Sequence, residues 1–302
     1  MKVLILGCGY TGLRLAQGLL AQQIPVQVTN RTGEAIVSDR PTGKAWATPT
    51  AIANLPVPVF AFAYTSETDN IPLPTSALIG VTHVLSTIAP TKEGIDPVLA
   101  LALQQLEAAN LTWFGYLSTT GVYGDTKGTW VDETSPIQPG NERSQVRAQI
   151  ESQWLASTLP IHIFRLPGIY GPGRSIFDRI RLGTAHNIHK PGQMFSRIHV
   201  DDIVQALERS MQHPNPPAIY NVADDEPTES STLLLSATQL MGISPPDPIP
   251  YDPSRMSSMA ASFWRESRRV ANHKIKEELG VQLRYPTYRE GLKAIWAAES
   301  GE

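Results

Sequence analysis

The sequence contains little of what marks several large classes of protein. Cysteine occurs once, at Cys8, so no disulfide framework can form and a cytoplasmic location is expected. Only 18% of the residues are charged and the formal net charge is −3, which argues against nucleic acid or an anionic membrane surface as a partner. No apolar run approaches the roughly 20 residues of a membrane-spanning helix. What is left is a globular chain of 302 residues, long enough for two lobes of one compact unit.

Metal ligands do not cluster in the sequence either. His186 and His189 lie near each other, but no third candidate ligand accompanies them, so no metal site is predicted. Cys8 has no histidine close to it in the sequence, which favours a small buried side chain over a nucleophile.

The chain does contain an alternation of short apolar runs and helical patterns. Strands are expected at residues 2–6, 26–30, 57–65, 83–88, 113–119, 161–166 and 219–223. Helical periodicity separates them, as in residues 11–22 and in residues 96–110, where Asp96 is expected to cap the helix. Runs of this kind, buried on both faces and separated by helices, predict an α/β fold with a doubly wound parallel sheet. Such sheets bind ligands beyond the carboxyl ends of their strands.

The first strand runs directly into the residues GCGYTG (7–12), which open the following helix. In this GxGxxG pattern the first glycine allows a tight turn, the second lets a pyrophosphate approach the backbone, and the third lets the helix pack closely on the strand. A structural turn with nothing bound would have the same letters, but the strand before it and the helix after it favour a dinucleotide. The predicted contacts are Gly7, Gly9, Tyr10, Thr11 and Gly12.

Two further strand ends add candidates for cofactor binding. Asn30 and Arg31 follow the second strand, where an acidic residue would bind the ribose 2′-hydroxyl of NAD. Arg31 suits the 2′-phosphate of NADP(H) instead, because a guanidinium makes charge-assisted hydrogen bonds to phosphate. An exposed arginine at a strand end is the alternative interpretation. NADP(H) is favoured, with NAD as the second choice, and Ser86 in the strand predicted at 83–88 is assigned to the same site.

Five stretches together resemble a known family. They are GCGYTG, STTGVYGD, FRLPGIYGPGRS, RIHVDDI and YNVADDEP, in the order and at the spacing of the extended short-chain dehydrogenase/reductases, which include NAD(P)-dependent sugar-nucleotide epimerases and dehydratases. The resemblance implies an NADP-binding Rossmann domain in residues 1–171, completed by about 196–223. It implies a smaller C-terminal substrate-binding lobe in residues 172–195 and 224–302, and it makes Thr119 the catalytic Ser/Thr.

The resemblance fails at the start of the next helix, in NERSQVRAQIE (141–151). The family has its catalytic tyrosine and lysine four residues apart there, whereas this chain has Arg143 and Arg147, with the family's glutamate retained as Glu151. In this respect the chain resembles atypical members of the family, the bacterial YeeZ-type proteins, which keep the scaffold and lose the tyrosine. Taken alone, two such arginines would be most simply a solvated helix face. Family members often pair through this helix, so the resemblance also allows a homodimer.

Arginine cannot replace tyrosine as an acid, because its pKa exceeds roughly 12. Arg143 can still stabilise an oxyanion or bind a carboxylate or phosphate, and Arg147 can keep the lysine's hydrogen bonds to ribose. The proton must then come from another residue, and Tyr123, which follows Thr119 closely, is the first candidate. The lesser candidates are Asp125, Glu133 and His199.

A basic segment, FWRESRRVANHKIKEE (263–278), follows later in the chain. A solvated helix face is the favoured interpretation, and contact with the phosphates of a substrate is the alternative. Trp264, within this segment, is expected in the core, with a stacking platform for a ligand as the alternative.

Two functions remain open after these observations. The first is an NADP(H)-dependent oxidoreductase or epimerase/dehydratase-like enzyme with a non-standard acid, acting on a small polar or nucleotide-sugar-like substrate. The second is a non-catalytic NADP(H)-binding sensor or regulatory protein, for which the loss of both the tyrosine and the lysine is the argument.

Overall fold

A computed structural model describes residues 1–34, 55–65 and 69–301, without the side chains of residues 258 and 259. Its strands are β1 (Val3–Leu6), β2 (Val26–Asn30), β3 (Val59–Ala61), β4 (His83–Ser86), β5 (Trp113–Thr119), β6 (Trp130–Val131), β7 (Ile161–Leu166), β8 (Gly168–Tyr170), β9 (Ile188–His189), β10 (Arg197–His199), β11 (Ala218–Asn221), β12 (Ile249–Pro250) and β13 (Arg269–Val270). Its helices are α1 (Tyr10–Ala21), α2 (Pro97–Glu107), α3 (Glu142–Leu155), α4 (Ile176–Arg181), α5 (Val200–Gln212), α6 (Ser230–Met241), α7 (Ser258–Arg265), α8 (His273–Leu279) and α9 (Tyr288–Ser300).

Seven of the strands form one parallel sheet in the order β11-β7-β5-β4-β1-β2-β3. The strand order reverses between β1 and β4, so the helices after the two halves cover opposite faces. The predicted Rossmann fold is confirmed. One difference concerns the run at 57–65, which contributes only Val59–Ala61 to the sheet, because Ala63 pairs instead with Ile71 in an antiparallel bridge.

Each face of the sheet has its own apolar core. Val3 and Ile5 of β1 belong to a core with α1 and α5, whereas Leu4 and Leu6 belong to a core with α2 and α3. All four side chains are fully buried. The alternation follows from the period of two along a strand, and burial on both sides is what a central strand of an α/β sheet requires.

Local signals set the starts of two helices that border the carboxyl ends of the strands. The Asp96 carboxylate accepts hydrogen bonds from the backbone nitrogens of Val98 (2.8 Å) and Leu99 (3.1 Å), as predicted for the start of α2. Asn141 does the same for the backbone nitrogen of Ser144 (3.0 Å). Helix α3 therefore begins immediately before the two arginines singled out in the sequence.

A smaller unit follows β7. Its helices α4, α6 and α9 pack around an apolar cluster that includes Tyr170, Phe177 and Leu292. The strand β8, which comes directly after β7, pairs with β10 and connects this cluster to the large sheet. The strand β11 then returns to the large sheet and pairs with β7.

Neither a membrane span nor a metal centre occurs in the part of the chain that the structure describes. No helix there is both long and apolar enough to cross a membrane. No group of three or more histidine, cysteine, aspartate or glutamate side chains there could hold a metal ion. The two histidines that lie close in sequence, His186 and His189, are both exposed.

Two histidines flank a buried tryptophan in the sheet. The ring centroid of Trp113 lies 6.2 Å from that of His83 and 5.8 Å from that of His162. His162 is fully buried, and its Nε2 accepts a hydrogen bond from the backbone nitrogen of Asn215 (3.2 Å). Burial lowers the pKa of His162 to about 4 and also lowers that of His83, because a charged imidazole would lose its hydration there.

We expect His162→Gln to remove part of the acid sensitivity of the fold. The unfolded chain takes up a proton at His162 near pH 6.5 and the folded protein near pH 4, so the unfolded state holds more protons in between. Lowering the pH through this window should therefore destabilise the wild-type protein relative to the variant by roughly 2 to 3 kcal/mol. Urea unfolding at both ends of the window measures the difference. Parallel pH dependences in the two proteins would contradict the prediction.

Candidate functional site

The glycine loop between β1 and α1 presents bare backbone to an open space. Gly7 has a φ of +86°, which strains any residue with a Cβ. A Cβ on Gly12 would lie 2.8 Å from the carbonyl oxygen of Gly7, so this glycine lets α1 begin close to the strand. Nothing lies within 4 Å of the position that a Cβ of Gly9 would take. The loop and the amino end of α1 therefore leave room for an anion beside Gly9.

Two cavities meet at this loop. The first, called here the strand-edge cavity, has a volume of about 920 Å³ and is lined by residues that follow β2, β3 and β4. The second, called the arginine cavity, has a volume of about 610 Å³ and extends towards α3, β8 and α7. Gly9 and Thr87 line both cavities, so one ligand lying across the loop can enter both.

Asn30 and Arg31 contribute differently to the strand-edge cavity. Asn30 Oδ1 accepts hydrogen bonds from the backbone nitrogens of Thr32 (3.1 Å) and Gly33 (2.6 Å), so its side chain shapes the turn after β2. Arg31 is exposed and lines the cavity together with Lys92. Two cations are therefore available to an anionic group bound above the end of β2.

Positive charge dominates the arginine cavity. Among the described residues, its lining contains six arginines and one carboxylate, Glu266. The arginines are Arg143, Arg147, Arg174, Arg179, Arg197 and Arg268. Glu266 is already engaged, because it accepts hydrogen bonds from Asn141 Nδ2 (2.8 Å) and Arg268 Nη1 (2.8 Å). Guanidinium groups match the oxygens of carboxylates and phosphates, so the cavity suits an anion.

The two arginines of α3 both face this cavity. Arg147 is half-buried and donates from Nη1 to the hydroxyl of Tyr116 (2.7 Å) and the carbonyl oxygen of Leu117 (3.0 Å). Arg143, one turn earlier, is exposed, and no hydrogen bond or ion pair joins it to another described residue. The pair is therefore more than a solvated helix face: Arg147 is a fixed cation and Arg143 is a cation available to a ligand.

Thr119 ends β5 in the wall of the arginine cavity, between Ser118 and Thr120, which also line it. Its Oγ1 accepts a hydrogen bond from the backbone nitrogen of Gly121 (3.1 Å). This contact fixes the hydroxyl oxygen and leaves its hydrogen to be donated to another acceptor.

Tyr123 lies away from both cavities. Only 1% of the residue is exposed, and its hydroxyl donates to Asn221 Oδ1 (2.8 Å) and accepts from Arg165 Nη1 (2.9 Å). Burial raises the pKa of this hydroxyl. Tyr123, which was predicted to supply a proton to the site, lines neither cavity, because the 3₁₀ turn after Thr119 directs residue 123 into the interior.

Ser86, which was predicted to belong to the cofactor site, also lines neither cavity. Ser86 is fully buried, and its hydroxyl has no hydrogen-bond partner among the described residues. Its neighbour Thr87 lines both cavities, and Thr87 Oγ1 donates to the carbonyl oxygen of Gly7. Because β4 ends at Ser86, the first residue beyond the strand faces the ligand edge, and the last residue within it does not.

The lesser candidates for a proton donor have structural roles. Asp125 Oδ1 accepts a hydrogen bond from the backbone nitrogen of Ser267 (2.9 Å), and Glu133 Oε1 accepts one from that of Asn221 (2.7 Å). His199 is 1% exposed and caps α5, and burial lowers its pKa to about 4. None of these three described side chains lines the arginine cavity.

The basic segment divides between the cavity and the surface. Arg268 lines the arginine cavity, whereas Lys276 forms an ion pair with Asp225. Trp264 is half-buried and also lines the cavity, with its ring stacked on Tyr251 at a centroid distance of 5.6 Å. The prediction that Trp264 lies in the core is therefore wrong, and the solvated-face interpretation describes only part of the segment.

Sequence reasoning missed Arg174, Arg179 and Arg197 as residues of the site. Arg174 lies inside the stretch FRLPGIYGPGRS and Arg197 inside RIHVDDI. Both stretches resemble the family, and that resemblance could have pointed to these two residues. The directions of these three side chains could not be predicted from the sequence, because they depend on how the smaller unit packs against the sheet.

A buried ion pair supports the arginine cavity. Glu151 of α3 and Arg165 of β7 approach to 2.7 Å between Oε2 and Nη2, with 4% of each side chain exposed. The Ser118 hydroxyl donates to Glu151, and Arg165 donates to the hydroxyl of Tyr123 (2.9 Å). Glu151 therefore connects α3 directly to β5 and β7, and through Arg165 to the turn after β5. These contacts set the position of both α3 arginines.

A comparison of the sequence with protein families agrees with this geometry. The model of the "NAD dependent epimerase/dehydratase family" matches residues 3–223, which include the glycine loop, Thr119 and α3. The chain belongs to this family. Family membership accounts for the glycine loop and the parallel sheet.

Two relatives can be aligned with almost the whole length of this chain. Protein YeeZ of Escherichia coli K12 is 25% identical over 297 residues, which cover 94% of this chain and 96% of YeeZ, so the resemblance to YeeZ-type proteins is confirmed. A functionally unknown conserved protein from Silicibacter pomeroyi DSS is 41% identical, with 99% of both chains covered and a TM-score of 0.82.

Two more distant structures share the fold alone, and each contains a dinucleotide. UDP-glucose 4-epimerase of Thermus thermophilus with NAD is 19% identical, with a TM-score of 0.73 and 100% of this chain and 99% of that chain covered. A human epimerase family protein with NADPH is 16% identical, with a TM-score of 0.71 and 98% of this chain and 99% of that chain covered. The structural neighbours therefore bind NAD or NADPH.

We expect Glu151→Gln to lower the free energy of unfolding by about 3 to 5 kcal/mol, because the change leaves the Arg165 guanidinium charged and buried without a counter-ion. Glu142→Gln, on the exposed side of the first turn of the same helix, should cost at most about 1 kcal/mol through the helix dipole. Urea unfolding of the two variants provides the comparison. Equal losses would contradict the role given to the buried pair.

Proposed function

We propose that this family member binds NADP(H) along the glycine loop and acts as an oxidoreductase or epimerase/dehydratase-like enzyme on a small anionic substrate. One observation carries the proposal: the strand-edge cavity and the arginine cavity meet at Gly9 and Thr87. A dinucleotide across that junction would have its adenosine end in the strand-edge cavity and its nicotinamide end in the arginine cavity. In this proposal residues 1–171 and 196–223 form the cofactor-binding domain and residues 172–195 and 224–302 form the substrate-binding lobe. Side chains of the first, such as Thr119 and Arg143, also contact the substrate.

The choice of NADP(H) over NAD rests on charge at the adenosine end. Arg31 and Lys92 line the strand-edge cavity and would make charge-assisted hydrogen bonds to a 2′-phosphate. Glu93 lines the same cavity, so the cations outnumber the carboxylates there by one among the described residues. Family membership does not choose between the cofactors, because structural neighbours contain either one.

Three side chains receive roles in the arginine cavity. Thr119 donates its hydroxyl hydrogen to a substrate oxygen, since its oxygen already accepts from the backbone nitrogen of Gly121. Arg143 stabilises the negative charge that develops on that oxygen. Arg147, held by Tyr116, would make the hydrogen bonds to the nicotinamide ribose that a lysine makes in other family members.

A second function, a non-catalytic NADP(H)-binding sensor or regulatory protein, is favoured by a specific observation. None of the described residues that line the arginine cavity is a histidine, lysine or cysteine. The phenol of Tyr10 lines the cavity, but burial raises its pKa well above the ordinary value. Apart from Tyr10 and Glu266, which is bonded to Asn141 and Arg268, none of the described residues that line the cavity is of a kind that usually serves as a general acid or base.

Arg31→Ala should weaken NADPH binding by about 10- to 100-fold, because hydrogen bonds to a charged phosphate contribute roughly 1.5 to 3 kcal/mol. NADH binding should change little, since NADH has no 2′-phosphate. Arg209→Ala removes an exposed arginine from α5, outside both cavities, and is the matched control. Calorimetric titration of the wild-type protein and both variants with each nucleotide measures six affinities, and equal losses for NADPH and NADH in Arg31→Ala would rule out the phosphate contact.

Thr119→Val should lower turnover by about 100- to 1,000-fold, the effect of removing one donor to a developing oxyanion. NADPH binding should be unchanged, and Thr119→Ser should retain activity because it keeps the hydroxyl. Oxidation of NADPH with a panel of carbonyl compounds is the measurement. Unchanged turnover in Thr119→Val would contradict this mechanism, whereas tight NADPH binding with no turnover by the wild-type protein would favour the sensor.

A further inference from the structure

A third cavity adjoins the arginine cavity on the side of the smaller unit. This apolar cleft has a volume of about 320 Å³, and its apolar side chains come from β8, α4, α6 and α9. They include Ile169, Ile176, Leu233 and Leu292. Arg174, Arg179 and Arg197 line both the cleft and the arginine cavity. A ligand anchored on these three arginines would therefore have an apolar surface beside it.

Arg197 is the best-fixed cation at this boundary. Its Nη1 donates to the carbonyl oxygens of Phe195 (2.9 Å) and Thr228 (3.1 Å). Both acceptors are neutral, and the Nε and Nη2 groups are the donors that a bound oxyanion can take. Asp224 lies near enough to influence Arg197, but neither of its carboxylate oxygens has a hydrogen-bond partner among the described residues.

The acidic residue that lines the cleft does not neutralise these arginines by direct pairing. Asp178 Oδ2 accepts hydrogen bonds from the backbone nitrogen (2.7 Å) and the hydroxyl (3.1 Å) of Ser175. This capping box starts α4 and engages the Ser175 hydroxyl and one carboxylate oxygen of Asp178. The boundary therefore offers positive charge on one side and aliphatic carbon on the other.

We propose that the anionic substrate carries a short apolar group, an alkyl chain or a phenyl ring, which occupies the apolar cleft while its oxyanion binds Arg174 and Arg197. This inference rests on the proposed function and narrows the class of substrate. The Ser175 hydroxyl and Asp178 Oδ2 are bonded to each other, so the hydroxyls of a polyhydroxylated group would find no partner at the wall formed by Ile169, Ile176, Leu233 and Leu292. An apolar group gains free energy in proportion to the surface it buries against the leucines and isoleucines.

The test is a titration of the full chain with methyl, n-butyl and n-hexyl phosphate, with and without saturating NADP⁺. Methyl phosphate reports the oxyanion contact alone. Each added methylene should tighten binding by about threefold to fourfold until the cleft is full. An affinity that does not depend on chain length in the wild-type protein would overturn the proposal, as would the absence of binding by every member of the series.

Two substitutions in α6 test whether the dependence of affinity on chain length arises in the apolar cleft. Leu233→Ser removes an apolar wall of the cleft and should flatten the dependence on chain length while leaving methyl phosphate affinity unchanged. Leu235→Ser, two residues further along α6 at a side chain that is 46% exposed, is the matched control and should behave as the wild-type protein does. If Leu233→Ser does not fold, Leu233→Trp fills the cleft instead and should weaken n-hexyl phosphate binding selectively. A full dependence on chain length in the Leu233 variant that folds would overturn the assignment.

The outcomes separate this inference from the proposed function. NADPH binding is measured on the same samples. Intact NADPH binding with no dependence on chain length overturns the apolar-group proposal alone. Absence of NADPH binding overturns the proposed function, whereas the alkyl phosphate series in the cofactor-free protein still decides whether the cleft binds an apolar group.

Discussion

The ion pair between Glu151 and Arg165 is the contact on which the geometry of the site depends. Both charges are buried, so each needs the other, and burying them stabilises the fold only because Ser118 and Tyr123 complete their hydrogen bonds. The pair fastens α3 to β7 at the carboxyl edge of the sheet. The helix that carries the two arginines is therefore held at a fixed distance from the end of β5, where Thr119 lies.

Six arginines in one cavity repel one another, and the structure holds several of them with neutral groups. Arg147 donates to a tyrosine hydroxyl and a carbonyl oxygen, and Arg197 donates to two carbonyl oxygens. Such partners fix the position of a guanidinium without cancelling its charge, so the cavity keeps a positive potential that an anionic ligand can neutralise. None of the described side chains that line this cavity is a histidine, lysine or cysteine, so the lining favours anion binding over proton transfer.

Much of the fold was predictable because its signals are local. Apolar runs with a period of two or 3.6 identified the strands and helices, and the residue pattern of the glycine loop identified its turn. The positions of Tyr123 and Ser86, which line neither cavity, have one cause. Each lies within a residue or a turn of a residue that does line a cavity, and the direction of a side chain changes from one position to the next in a strand or a 3₁₀ turn.

The sequence by itself determined the parallel sheet, the open backbone at Gly9 and the replacement of the usual tyrosine and lysine by Arg143 and Arg147. Only the tertiary structure decided that both arginines face one cavity, that Arg174, Arg179 and Arg197 join them there, and that an apolar cleft lies beside three of the six. The reason is physical. Strand and helix periodicity follow from neighbouring residues, whereas the direction of a side chain at the end of a strand depends on packing between segments far apart in the chain.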